Sequence, residues 1–304
     1  MKKIPLIYIL SNGRSGSTIL DMLLGSFPGI WTLGEAQLLP LELNVGGVCG
    51  TGETIRDAAF WKDLVDTIRF EEEDMSVSYF RRTNAHGSHT GAVLRRQLLE
   101  MFGGRGEPDR IERYGRLNYE FFARVIQHAE AHGFADRIHW LVDASKDPYR
   151  LMWLQRSGYF DIRVIHLTKQ PPAFVYSTAR HEGGKISKYM VLRMTLRWII
   201  ENAIMKRVCD TYFLPTQVYP LAYETLANDA AQSFRKIGEH FNIDLADYAP
   251  HRFREYANYG ISGNKSRWEN AQVRLDEKWK TQLPKHHQYL VSWLTRPFIK
   301  LHRA

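Results

Sequence analysis

The chain predicts an α/β fold: a mainly parallel sheet flanked by helices on both faces, in a single domain with a helical insertion. Three observations carry that expectation. An apolar run at 4–10 passes through a Gly-Ser turn into an amphipathic stretch at 17–26, so a strand opens directly into a helix. Further strand-like runs at 138–143, 162–168 and 216–221 alternate with helical patterns at 117–132, 147–157, 172–182, 189–211 and 229–241. That alternation favours parallel pairing through helical crossovers. No internal repeat or low-complexity tract interrupts it, and 304 residues with 44% hydrophobic content can fill one large core.

The first strand runs into Ser11-Asn12-Gly13-Arg14-Ser15-Gly16-Ser17-Thr18. Gly13 and Gly16 allow a tight turn and close approach of an anion, while Ser15, Ser17 and Thr18 offer amides and hydroxyls at the positive end of the next helix. The arrangement is of P-loop type, and a phosphate-bearing ligand is expected. In the pattern G-x-x-x-x-G-K-[ST] a lysine precedes the final hydroxyl residue and reaches the β and γ phosphates. Here Ser17 stands in that place and the cation sits earlier, at Arg14. A triphosphate with magnesium is therefore disfavoured. Taken alone, the loop is also compatible with an incidental glycine-serine turn.

The run Gly13-Arg14-Ser15-Gly16-Ser17-Thr18, followed by Ile19-Leu20-Asp21-Met22-Leu23-Leu24 and then Pro28, resembles the 5′-phosphosulfate loop of sulfotransferases that use 3′-phosphoadenosine-5′-phosphosulfate (PAPS). Five further segments are similar to that family's, in its order. Thr32-Leu33-Gly34-Glu35 resembles the Gly-Glu segment of protein-tyrosine and carbohydrate sulfotransferases, which implies Glu35 as general base. Val142-Asp143-Ala144-Ser145-Lys146-Asp147-Pro148 resembles the Asp-Ser-Ser-Lys-Asp-Pro segment of bacterial and carbohydrate-type members, with Asp143 and Lys146 facing the transferring sulfonate. The strand 162–168, Lys169-Gln170-Pro171 and Ser177 resemble the 3′-phosphate segment. Tyr223-Glu224-Thr225-Leu226 and Gly260-Ile261-Ser262-Gly263-Asn264-Lys265-Ser266-Arg267-Trp268 look like late family segments that reach the adenine and the 3′-phosphate.

The resemblance thus implies Arg14, Glu35 and Lys146 as catalytic residues. It implies Gly13, Arg14, Ser15, Gly16, Ser17, Thr18, Lys169, Ser177, Tyr223, Lys265 and Arg267 as the PAPS site, with adenosine 3′,5′-bisphosphate (PAP) as product and no metal. Each residue also has a structural reading. Glu35 can pair with Arg14 or a neighbouring lysine, Asp147 or Ser145 can cap the helix that Pro148 starts, and Tyr223 can belong to the core. Lys169 can be a solvated strand-end lysine, Ser177 a helix-surface hydroxyl and Arg267 a solvated loop cation. Lys169-Gln170 departs from the family's Arg-Asp, keeping a charge but losing the bidentate fork. Arg163 and Arg180 are the nearest arginines to supplement it.

Composition narrows the rest. The two cysteines, Cys49 and Cys209, make neither a disulfide framework nor a zinc pattern, and Thr51 replaces the second cysteine of a Cys-Gly-Cys-Gly loop found in bacterial relatives. The formal charge of +8 is spread along the chain without a dense basic block or a nucleic-acid-binding signature, so a cleft for a polyanionic nucleotide explains it better than nucleic acid. The apolar run at the amino end is too short for a signal peptide, and no stretch reaches the length needed to span a bilayer. A cytoplasmic enzyme is expected. In the tail, Leu290, Trp293, Leu294, Phe298 and Leu301 are expected to form the core face of a last helix broken near Pro297. The interval 41–116, with amphipathic patches at 58–69 and 91–102 and the acidic run Glu71–Asp74, is the expected acceptor-binding insertion of a sulfotransferase domain spanning 1–304. The acceptor is a small molecule, glycan or natural product carrying a hydroxyl or amine. The competing readings are a noncatalytic nucleotide-binding module and a P-loop kinase, the latter lacking its lysine.

Overall fold

The computed structural model describes residues 2–67, 98–103, 107–181, 186–245, 249, 252–263, 267–268, 273 and 275–301. Lys265, the acidic run at 71–74 and most of the patch at 91–102 lie outside them. Five parallel strands form one sheet in the order β2-β3-β1-β4-β5, where β1 is Ile4–Ser11, β2 Ile30–Thr32, β3 Trp140–Asp143, β4 Phe160–Thr168 and β5 Val218–Ala222. The central strand β1 pairs on both edges, Leu6 lying opposite Leu141 and Ile162. A strand covered on both faces must be apolar on both, which is why β1 reads as a continuous hydrophobic run.

Successive side chains of β1 feed opposite layers. Leu6, Tyr8 and Leu10 join one core cluster with α3 (Pro108–Ala131), α4 (Pro148–Ser157) and α6 (Lys188–Tyr212). Ile7 and Ile9 join the other, under α1 (Ser17–Leu24) and α8 (Ala230–Phe241). Other helices among the described residues are α2 (Leu39–Asn44), α5 (Pro171–His181), α7 (Tyr223–Asn228), α9 (Trp279–Gln282) and α10 (Lys285–Leu301), and residues 98–103 are also helical. The connection from β1 through α1 leaves the loop 12–16 at the carboxyl edge of the sheet, where open α/β sheets gather ligands.

Several elements depart from the sequence reading. β2 is an additional strand, three residues long, too short to show a period. α3 starts at Pro108 rather than 117, because its first turns are charged and carry Arg110–Glu107 and Arg116–Glu112 pairs on an exposed face. The patch at 58–69 is a series of turns and a short 3-10 helix as far as residue 67, yet Phe60, Trp61 and Leu64 still enter the main core. α10 continues through Pro297: that residue is exposed, so the carbonyl it leaves unpaired reaches water, while Phe298 and Ile299 hold the following turn against α5 and α6. Trp293 is 73% exposed and not part of the core face, which falls on His287, Val291 and Thr295. Among the described residues, no helix is long and apolar enough to cross a membrane.

The turn from β3 into α4 is fixed at both ends. Arg150 is completely buried, and its guanidinium bonds Asp143 Oδ2 at 2.9 Å and the Tyr114 hydroxyl. Asp143 Oδ1 accepts from the Ser145 amide. Asp147 caps α4 by accepting from the amides of Tyr149 and Arg150, as its sequence position before Pro148 allowed. Tyr8 Oη donates to the Asp147 carbonyl at 2.8 Å and accepts from the Asp147 amide. Asp143 is therefore no open, ligand-facing carboxylate; fully buried with both oxygens bonded, it is the counter-ion of Arg150, since an unpaired buried guanidinium would cost far more. Replacing Asp143 with Ala should lower the unfolding free energy by about 3–5 kcal/mol, the cost of stranding one partner of a buried pair. Denaturant melts of the two proteins measure this, and a loss below about 1 kcal/mol, typical of an exposed pair, would contradict the assignment.

Candidate sulfonate-transfer site

The loop 12–16 is held by α6 and shaped by two left-handed residues. Asn12 donates to Glu201 at 2.6 Å and accepts from Asn202 at 2.7 Å, which fixes the strand's exit. Arg14 adopts φ 67° and Gly16 φ 93°. The Tyr223 ring approaches Gly16 so closely that a Cβ there would lie 2.3 Å from it, so glycine is required by both backbone and contact. At Gly13, by contrast, a Cβ would meet nothing. Gly16 caps α1 without any side-chain hydrogen bond, which leaves the first-turn amides for a ligand. Ser15 Oγ is buried without a hydrogen-bond partner among the described residues. Arg14 is exposed over this cradle, whereas Ser17 is buried. A buried orphan hydroxyl beside open amides and a cation is a donor set that fits a phosphate or sulfate.

Glu35 and Lys146 meet beside it. The chain beyond β2 runs between two partners: Leu33 and Ala144 make backbone bonds with Val142 and Gly34, and the Ile261 amide and carbonyl bond Leu33 and Glu35 at 2.8 Å each. Gly34 has φ 65°, and a Cβ on it would lie 2.4 Å from the Ile261 carbonyl oxygen, so only glycine lets the strands close here. On the other side Lys146 is forced to φ 67° by the doubly fixed turn. Its Nζ lies 2.5 Å from Glu35 Oε1, with both side chains mostly buried. Gln37 ties the two segments, its amide and Nε2 donating to Ser145 Oγ and the Ser145 carbonyl.

A second cationic region lies across the loop. Lys169 Nζ sits 5.2 Å from the centre of the Tyr223 ring, and its carbonyl accepts from Trp198 Nε1. Burial pulls the Lys169 pKa down, as does nearby Arg14, against the opposing fields of Glu224 and Asp276. Glu224 is itself pushed up by burial and accepts from the Gln170 amide. Ser177 lies partly buried on α5. Arg267 has other surroundings: its guanidinium bonds the carbonyls of Val48, Gly260 and Ser262, and its charged neighbours are Glu42, Glu35 and Asp21. The structure therefore brings together Arg14, Lys169 and Tyr223 on one side, and Glu35, Lys146 and Arg267 on the other. Arg163 pairs with Asp161 and lies over Trp140.

The family model for the sulfotransferase family matches residues 5–247. The chain belongs to the sulfotransferase family. It is an enzyme that transfers a sulfonate group. No curated protein sequence matches it. Solved structures similar to this sulfotransferase include the sulfotransferase domain of the Synechococcus PCC 7002 olefin synthase, at 20% identity over 98% of this chain and 96% of that one, with a TM-score of 0.49. The sulfotransferase domain of the curacin biosynthetic pathway shares 18% identity over 97% and 99%, with a TM-score of 0.47. A mouse sulfotransferase in complex with PAP shares 10% identity over 97% and 85%, with a TM-score of 0.48.

Other residues, outside the motifs, support these segments: Asn12 and Glu201 behind the loop, Gln37 and Arg150 behind Lys146, and Asp21 near Glu35. Only Asp21 left a trace in the sequence, as a lone carboxylate inside an apolar run. Gly16→Ala should weaken protection of the fold by sulfate or pyrophosphate, read as a thermal shift, by tenfold or more. Adding Tyr223→Ala should relieve the contact but not the left-handed backbone, which still costs about 1–2 kcal/mol. Full recovery in the double variant would show that the ring alone dictates glycine.

Proposed function

We propose that this sulfotransferase moves the sulfonate of PAPS to a hydroxyl or amine of a small-molecule, glycan or natural-product acceptor, with Glu35 as general base. The observation that carries the reading is the Glu35–Lys146 pair, 2.5 Å apart, beside a cationic loop whose helix amides are uncapped. Glu35 takes the acceptor proton as the acceptor oxygen or nitrogen bonds to sulfur. The sulfur–oxygen bond to the 5′-phosphate breaks on the opposite side, and its electron pair leaves with PAP. Arg14 meets the charge growing on that phosphate. Lys146 has three N–H donors, so it can keep Glu35 and also hold a sulfonate oxygen as charge redistributes. Lys169, Ser177 and Tyr223 are assigned to the nucleotide, Lys169 to its 3′-phosphate. Arg267 bonds three carbonyls on the Glu35 side and has an Nε without a partner among the described residues, and it too is assigned to the nucleotide.

The whole chain is read as one domain, with the acceptor approaching from the insertion. Residues 48–50 of that insertion lie against the strand that positions Glu35: Gly50 bonds the Gly260 carbonyl, and Cys49 bridges to Ile261. No step assigned here uses a metal, and Ser17 in the lysine position argues against the kinase reading.

Labelled PAPS offered with a panel of alcohols, sugars and amines tests the reaction itself. Glu35→Gln keeps the shape but accepts no proton, so turnover should fall about 10²–10⁴-fold with PAPS affinity nearly unchanged. Arg14→Ala should impair both. Near-normal turnover of Glu35→Gln at saturating acceptor would remove Glu35 as base.

Lys169→Ala should weaken PAP by about 1.5–3 kcal/mol, the scale of a charge-assisted hydrogen bond, and leave adenosine 5′-monophosphate almost unaffected. Calorimetry with PAP, adenosine 5′-monophosphate and ATP with magnesium resolves this. Equal losses for PAP and the monophosphate would move Lys169 away from the 3′-phosphate, and tighter binding of ATP with magnesium than of PAP would favour a kinase.

A further inference from the structure

Asp21 lies one turn into α1, behind the phosphate loop, and is only 3% exposed. The Gly34 amide donates to its carboxyl, while Oδ1 has no hydrogen-bond partner among the described residues. Of the elements packed on α1, β1 supplies no charged group; the charged groups around Asp21 are Glu35 beyond β2, Asp143 and Lys146 from the β3 turn, and Arg267. Arg254, on the turn that also touches α1, is directed at the Arg267 carbonyl. Asp143 is committed to Arg150, so Lys146 is the cation nearest at hand for both Glu35 and Asp21.

We propose that Asp21 is a positioning residue that serves the reaction as a neutral carboxylic acid. Uncharged, it leaves Lys146 to Glu35 and to the arriving sulfonate. Ionised, it competes with Glu35 for Lys146 and adds a further anion where an anionic group must enter. The role in turnover rests on the function proposed above; the protonation state does not. Burial pushes the Asp21 pKa from 3.8 to about 8, helped by Asp143 and Glu35 and only partly opposed by Lys146.

The sign of the linkage follows. Between about pH 4 and 8 the folded chain holds a proton on Asp21 that the unfolded chain has released, so this group makes the wild type progressively less stable as pH rises through that window. Asn cannot ionise. The melting temperature of Asp21→Asn minus that of wild type should therefore grow from pH 5 to pH 8 and level off above. Infrared spectra of wild type should show a protonated carboxyl band that disappears near pH 8 and is missing from the variant, and Asp21→Ser should repeat the melting trend if the Asn variant folds poorly.

With PAPS and a working acceptor, wild-type kcat/KM should fall about tenfold per pH unit above that pKa, the slope of one ionisation. Asp21→Asn should keep turnover within about threefold at pH 7 and lose that alkaline limb. A melting difference independent of pH, or no titrating carboxyl band, overturns the neutral state. A folded Asp21→Asn protein that binds PAP but is inactive at pH 7, or that keeps the alkaline limb, overturns the positioning role. If no acceptor is sulfonated at all, the function proposed above fails, and the melting and infrared results still decide the state of Asp21.

Discussion

Arg150 carries a full charge with no solvent to hold it, and that one demand organises the carboxyl end of the sheet. Asp143 must stand opposite the guanidinium, which fixes the last residue of β3; Asp147 must cap α4, which fixes the first turn of the next helix. Tyr8 clamps the Asp147 backbone from β1. Between these anchors the chain has three residues in which to reverse direction, and Lys146 absorbs the reversal by entering the left-handed region. Its side chain is thereby aimed across the gap at Glu35. The ion pair of the site is a consequence of a structural ion pair one turn away.

The two cations assigned to the sulfonate and the leaving phosphate, Lys146 and Arg14, share the same left-handed backbone at φ 67°. A residue with a Cβ adopts that region at a cost of about 1–2 kcal/mol, and glycine would avoid it. Neither position is glycine, so what is retained is the side chain. Strain of this kind persists only where surrounding contacts over-determine the backbone. At Arg14 they come from Asn12, bonded to Glu201 and Asn202 of α6, and from Gly16 under Tyr223; at Lys146 they come from the Arg150 network.

Much of this was legible in the sequence because it is local. The apolar runs of β1 and β4, the Asp147-Pro148 cap and the Gly16 turn are each written within a few adjacent residues. Glu35 and Lys146 were found through their motifs, yet their pairing was not visible, since it depends on β2 and β3 being neighbours and β2 is too short to announce itself. Asp143 shows the opposite limit: a carboxylate at a strand's carboxyl end reads as ligand-facing until the partner seven residues later is seen to be fully buried. Hydropathy does not reveal the exposure of Trp293, since it counts what a residue is, whereas burial depends on which side of the helix α5 and α6 occupy; α10 passes Pro297 because that residue faces solvent.

Lys169 and Gln170 are both held from outside β4. The Lys169 ammonium lies 5.2 Å from the centre of the Tyr223 ring, and the Lys169 carbonyl accepts from Trp198 Nε1. The same ring leaves no room for a Cβ at position 16. A flexible ammonium can keep that ring and still turn an N–H toward an anion, the contact of a point charge and not of a bidentate fork. The amide of Gln170 donates to Glu224 on α7. The cation that follows β4 and the carboxylate that follows β5 are thus supplied by two neighbouring strand ends and not by one dipeptide, and Tyr223, the residue before Glu224, carries that arrangement to the phosphate loop through its contact with Gly16.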